Sequence, residues 1–159
     1  MQPRSNSLIF KASLIHALSQ NTDLTHYFMN KYHLKSNEDW LSTSVLIDCL
    51  YEIEERIGPS TLKRVGSNIA KHAVIPDSHR SFQDFLKYTL NDTYKANHQS
   101  LQNGFKINSE DHKLILDLKE NPYPLTFNKG LLAGFSLKHN TFSRVTEIDS
   151  TNLLIEDII

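Results

Sequence analysis

An α+β fold is predicted by three features of the sequence. Up to about His98, apolar residues recur at helical spacing; beyond it they mostly alternate, with one helical interruption. The order is therefore helices first, then β-β-α-β-β, which reads as N-terminal helices packed on a small antiparallel sheet. Glycine is scarce, at 5 in 159 residues, too few for a strand-and-turn sandwich.

The elements follow in order. Leu8, Ile9, Ala12, Ile15 and Leu18 set the expected inner face of a first helix. Leu24, Tyr27, Phe28 and Tyr32 mark a second, with Asp23 in its first turn. After Trp40 comes the clearest pattern. Val45, Leu46, Cys49, Leu50, Ile53 and Ile57 form one stripe, and Glu52, Glu54, Glu55 and Arg56 mostly line the other side. Ser42 or Thr43 caps this helix and Gly58 ends it. Pro59 opens the next, with Leu62, Val65 and Ile69 inward, and Pro76 breaks the pattern. A further helix, capped by Asp77 or Ser78, runs to about Lys95 with Phe82, Phe85, Leu86 and Leu90 as its apolar edge. Phe105 and Ile107, then Leu114, Leu116 and Leu118, alternate as two strands joined by a turn over Asn108 to Asp111. The last two strands are expected over Ser143 to Ile148 and Asn152 to Asp157.

Between the strand pairs lies "NPYPLTFNKGLLAGF". A residue before proline is driven to extended backbone, so Asn121 and Tyr123 are both extended. Neither proline can donate to a ladder, so the strand stops near Glu120. Thr126 is expected as an N-cap, with a helix from Phe127 to Lys138. Gly130 and Gly134 share one helical face, which suits close approach to a neighbour, expected to be the sheet. Asn140 suits the left-handed position that ends the helix. Two readings of the corner stay open: a strand-to-helix turn, or a turn that holds Tyr123 in a pocket.

The bulk properties narrow the function classes. Residues 1–159 read as one domain, without repeat, linker or low-complexity segment. The net charge is -1, so no global field favours nucleic acid, and the small basic set Lys63, Arg64 and Lys71 reads as a solvated face. No stretch reaches the roughly 18 apolar residues of a membrane span. The single cysteine, Cys49, and the absence of a signal-peptide pattern lead us to expect a cytoplasmic protein. The eight histidines show no pair at i, i+4, and there is no HExxH, CxxC, GxSxG or glycine-rich phosphate loop. No catalytic group, metal site or cofactor is therefore expected. In "YKANHQS", Tyr94, Asn97 and His98 close a helix; they read either as C-terminal capping or as one side of a pocket. Trp40 reads as core, interface or cavity edge. The candidate ligand-binding residues are Trp40, Tyr94, His98, Tyr123 and Phe127.

Three segments together carry a resemblance. "IGPSTLKRVGSNIAKHAVIP", "DTYKANHQS" and "NPYPLTFNKGLLAGF" resemble, in order and spacing, segments of a group of uncharacterised bacterial proteins. Those proteins look like members of a superfamily that includes V4R (4-vinyl-reductase-like) domains, haem–nitric-oxide-binding sensor domains and the transport-particle subunits that tether vesicles. The resemblance implies the same order of helices and β-β-α-β-β sheet. The chain departs from the V4R-like relatives in having no cysteine after Cys49. The haem sensors use a helical histidine on iron and a Tyr-x-Ser-x-Arg motif on the propionates. Here Leu90 and Asn91 stand near the ligand position, and "LKENP" stands where that motif would fall.

The leading expectation, resting on that resemblance, is a non-enzymatic ligand-binding or sensory module. It would hold a small apolar molecule between helices and sheet and act through a homodimer or a signalling partner. The alternative is a protein–protein interaction module with no ligand, for which an exposed apolar patch on the first helices would speak. A haem-based gas sensor and an enzyme rank below both.

Overall fold

A computed structural model describes residues 2–76, 81–101, 104–110 and 113–158. The helix-then-sheet order stands, with a second small sheet that apolar periodicity did not announce. Strand β1 (Arg4–Asn6) lies between β2 (Trp40–Ser42) and β3 (His98–Gln99), antiparallel to both. Strands of two or three residues are too short to print an alternation, so no sequence pattern marks them.

Helix α1 (Ser7–Ala17) follows β1 directly, capped by the Asn6 side chain on the Ile9 N–H. Its phase corrects the expected face. The Ser7 N–H donates to the Asp39 carbonyl (2.9 Å) and its hydroxyl to the Glu38 carbonyl (2.6 Å), which turns Ser7 inward. Phe10 and Leu14, three and seven residues on, follow it into the core. Leu8 and Ile15 are left outside, 59% and 45% exposed, with Ala12 between them.

Asn21 caps α2 (Thr22–Lys31) through the Leu24 N–H. Helix α3 (Thr43–Arg56) buries Leu46, Cys49, Leu50 and Ile53 as its stripe predicts. Gly58, at φ 117°, ends it and admits Pro59 as the first residue of α4 (Pro59–His72). The expected caps Asp77 and Ser78 lie outside the described residues; Ser81 accepts from the Asp84 N–H instead. From there α5 (Phe82–Asp84), a π-helical turn (Phe85–Thr89) and α6 (Leu90–Ala96) run on continuously.

Strands β4 (Lys106–Glu110), β5 (Lys113–Asp117), β6 (Phe142–Glu147) and β7 (Asn152–Ile158) form the main antiparallel sheet, in order β4-β5-β7-β6. Leu116 faces Leu153 and Leu114 faces Ile155 across β5 and β7, all four buried against the helices. Asn108 to Glu110 belong to β4 rather than to the turn, whose Asp111 lies outside the described residues. Helix α7 (Leu125–Lys138) begins two residues before the expected Phe127, with Pro124 in the capping position, so Thr126 sits in its first turn. Asn140 is left-handed, at φ 55°, as expected.

The glycine face of α7 meets α4, not the sheet. A methyl on Gly130 would run into the Lys63 backbone carbonyl, and one on Gly134 would lie 2.7 Å from the Ser67 carbonyl oxygen. Gly66 of α4 reciprocates, since a methyl there would strike the Phe127 carbonyl. The two helices run parallel, Lys63 beside Gly130 and the Ala70 carbonyl accepting from Lys138 (3.3 Å). This backbone-to-backbone seam holds the helical layer together beneath the sheet.

Candidate functional site

Between α1, α4, α6, α7 and the start of β4 lies a cavity of about 70 Å³. Its walls are almost wholly apolar, with Phe10, Leu90, Tyr94, Phe105, Phe127 and Phe135 contributing most of the rings and branches. Tyr94, His98, Tyr123 and Phe127, four of the five candidate residues, line it. Trp40 does not: it sits half-buried on β2, opposite Asn6.

Tyr123 reaches the cavity because its corner is braced. Asn121 and Asn128, both buried, exchange amide hydrogen bonds (3.1 and 3.4 Å). The Asn121 side chain also accepts from the Tyr123 N–H (3.0 Å), and the Asn128 amide donates to the carbonyls of Tyr123 and Pro124 (3.3 Å each). Both readings of "NPYP" are therefore present in one object: a strand-to-helix corner whose bracing presents a tyrosine. The Tyr123 ring lies 5.2 Å from that of Phe127 and 5.5 Å from that of His98.

At its hydroxyl begins a chain of hydrogen bonds. His98 Nε2 and Tyr123 OH are 2.6 Å apart, Tyr123 OH and Ser5 Oγ 2.6 Å, and Ser5 Oγ and Thr43 Oγ1 2.7 Å. His98 Nδ1 lies 2.6 Å from the Tyr94 carbonyl, an acceptor only, so Nδ1 carries the proton and donates. Nε2 of the neutral ring then accepts from the Tyr123 O–H. The phenol oxygen accepts from Ser5, and Ser5 from Thr43. Burial favours this state: it lowers the His98 pKa to about 4, against a smaller opposite pull from the Tyr94 carbonyl. Burial likewise pushes the Tyr123 phenol well above its ordinary value, with Ser5 and Thr43 pulling weakly the other way. Both groups are thus neutral at pH 7, and the chain links β1, α3, the end of α6 and the Pro-Tyr-Pro corner.

Ser5 and Asn128 were not singled out from the sequence, and Thr43 was read there only as a possible cap of α3, a position that Ser42 takes without a side-chain hydrogen bond while the Thr43 hydroxyl turns to Ser5. Nothing marks Ser5 in the sequence, whereas the Asn121–Asn128 spacing lies inside the stretch already noted. Capping and pocket readings of "YKANHQS" also combine. The Asn97 amide donates to the Thr93 carbonyl (2.8 Å) and to the Val74 carbonyl (3.0 Å), and His98 back-bonds its own helix while facing the cavity. Tyr94 presents its ring, stacked 4.1 Å from the His98 ring, but its buried hydroxyl has no partner among the described residues. Cys49 is buried on its stripe, and burial, aided by the Glu52 carboxylate, pushes its thiol up to about 12. Such a thiol is not a nucleophile at neutral pH.

Haem would need an axial donor and cationic partners for its propionates. Leu90, at the expected ligand position, is a wall of the cavity, and Asn91 is turned away to clamp the Phe105 backbone (2.8 and 3.1 Å). His98 has both ring nitrogens engaged, and neither Lys nor Arg lines the cavity. Among the described residues, those that line the cavity do not fit a haem. Among the described residues no three of His, Cys, Asp and Glu come together as a metal site.

No family model and no curated protein matches the chain. Solved structures do. A crystal structure of an H-NOX protein from S. oneidensis in its Fe(II)NO state is similar over 100% of both chains, at 13% identity and a TM-score of 0.67. An NMR structure of a mutant H-NOX domain from Shewanella oneidensis in its Fe(II)CO state covers 94% of this chain and 97% of its own, at 14% identity and a TM-score of 0.64. Unliganded Fe(II) H-NOX protein from K. algicida covers 97% of each chain, at 11% identity and a TM-score of 0.60. The chain has the fold of the H-NOX, or haem–nitric-oxide-binding, domains.

Proposed function

We propose that this chain is a non-enzymatic sensory module that holds a small apolar molecule in the cavity and acts through a second copy or a signalling partner. The observation that carries the reading is the cavity itself: apolar walls, and one polar edge where His98 and Tyr123 are hydrogen-bonded to each other. At about 70 Å³ it is roughly half the size of an engineered apolar cavity that takes benzene. Its occupant is therefore a molecule of a few heavy atoms, or a larger one that displaces a wall. No charged side chain faces the space, so nothing there is placed to stabilise charge developing in a reaction. H-NOX neighbours hold iron ligated by NO or CO; that the same fold houses a small-ligand site is support by analogy. An occupant pressing on Tyr94 or Tyr123 would be felt at Ser5, and so at β1 and α1, through the hydrogen-bond chain.

Native mass spectrometry of freshly purified protein, with an absorption spectrum beside it, tests the reading. A small mass that leaves on denaturation supports it. A Soret band would replace it with a haem protein, and a ligand-free dimer would favour an interaction module. One observation favours that second reading: Leu8, Ala12 and Ile15 form an exposed apolar stripe along α1. If that stripe is a dimer seam, Leu8→Glu with Ile15→Glu converts a dimer to a monomer in analytical ultracentrifugation.

A further inference from the structure

On the side of the α4–α7 seam away from the apolar cavity lies an open groove of about 250 Å³. Lys63, Arg64 and Ser67 of α4, Lys129 of α7, and Ser143 and Val145 of the edge strand β6 line it. The glycine seam creates this arrangement. With Gly66 and Gly130 letting the two backbones touch, cations one turn inside each helix start flank one space instead of facing separate surfaces. Lys129, with a side chain only 21% exposed, shares its ammonium with the Glu147 carboxylate at 3.4 Å. Among the described residues Lys63 and Arg64 have no carboxylate partner, and one Arg64 nitrogen donates to Thr61 Oγ1 at 3.2 Å. Three cations face one carboxylate, in a chain whose overall charge is -1. This surplus is local and is not the residue of a basic protein.

We propose that this groove binds a phosphoryl group of a small molecule, at a site separate from the apolar cavity. A guanidinium presents paired N–H donors that match phosphoryl oxygens, and ammonium groups on either side add charge without fixed geometry. The Ser67 hydroxyl adds a neutral donor on the same wall. The space takes a phosphoryl group with a small substituent. The charge of the whole chain, -1, gives a nucleic-acid strand no extended cationic track beyond it. A soluble phosphate compound and a phosphomonoester lipid headgroup share this chemistry.

Titration of the full chain with inorganic pyrophosphate at constant ionic strength, followed by amide chemical shifts, tests the site. Shifts centred on Ser67, Lys129 and Val145 are expected, with affinity falling at least tenfold in a Lys63→Gln, Arg64→Gln variant. Both substitutions are on exposed positions, so the fold should survive, and unchanged shifts elsewhere verify this. Co-sedimentation with vesicles carrying phosphomonoester headgroups then separates the sources: retention by vesicles assigns a lipid, pyrophosphate binding alone a soluble compound. Shifts no larger than those from sodium chloride at the same ionic strength, or an unchanged affinity in the double variant, overturn the proposal.

Discussion

Tyr94 and His98 stack on one another yet behave oppositely. The Tyr94 hydroxyl is buried without a hydrogen-bond partner among the described residues, and an unpaired buried hydroxyl costs about 1–3 kcal/mol. Tyr94→Phe keeps the ring and removes that cost. Its urea midpoint is expected to equal or exceed that of the wild type, and a clear fall would show that the hydroxyl does have a partner. His98 is the reverse case, with both nitrogens hydrogen-bonded and the neutral ring favoured by burial. Its folded pKa, about 4, lies below the unfolded value of about 6.5, so the unfolded chain takes up the proton first. Stability is therefore unaffected by this group above about pH 6.5, is lost as pH falls toward 4, and changes no further below it. The loss amounts to at most about 3 kcal/mol. Urea melts from pH 7 to pH 4 should show that slope, and His98→Gln should flatten it. At this scale the sequence was informative about which residues meet, since Tyr94, His98, Tyr123 and Phe127 all stand inside distinctive stretches. It was silent on Ser5 and gave Thr43 only a capping role, because a hydroxyl's role depends on which distant group the fold brings to it, not on its neighbours in the chain.

At the scale of elements, the α4–α7 seam decides the most. Alanine is a better helix former than glycine by about 1 kcal/mol, so propensity alone predicts that Gly130→Ala stabilises α7. Packing predicts the opposite, because the added methyl meets a backbone carbonyl that cannot rotate away. We expect packing to win, with a net loss of about 2 kcal/mol or more, read as a lower urea midpoint. A higher midpoint would mean that the helices are not in backbone contact. The glycine spacing disclosed close approach but not to what, since a small-residue face fits a sheet and a helix equally well. The same limit applies to α1. Its apolar residues encircle the helix, so their spacing permitted several faces, and the choice was made outside the helix by the bonds of Ser7 to Glu38 and Asp39. By contrast α3 has one apolar face, and there pattern and burial coincide.

For the whole molecule, the order of helices followed by β-β-α-β-β was readable because each long element carries its own periodicity. The three short strands of the second sheet were not, although that sheet closes the site: β1 carries Ser5 and β3 begins at His98. The resulting architecture places an apolar cavity on one side of the helical seam and a cationic groove on the other. It ties the cavity edge to the N-terminal strand through the Tyr123 hydroxyl. Whether the cavity accepts an apolar molecule is the central question. The most direct measurement is the amide spectrum of the protein under xenon pressure, compared with an Ala73→Leu variant that fills the space from the residue just after α4. Saturable shifts at Leu90, Phe105, Phe127 and Leu131 that vanish in the variant are the predicted result. Shifts that are absent, or that persist unchanged when the cavity is filled, would contradict it.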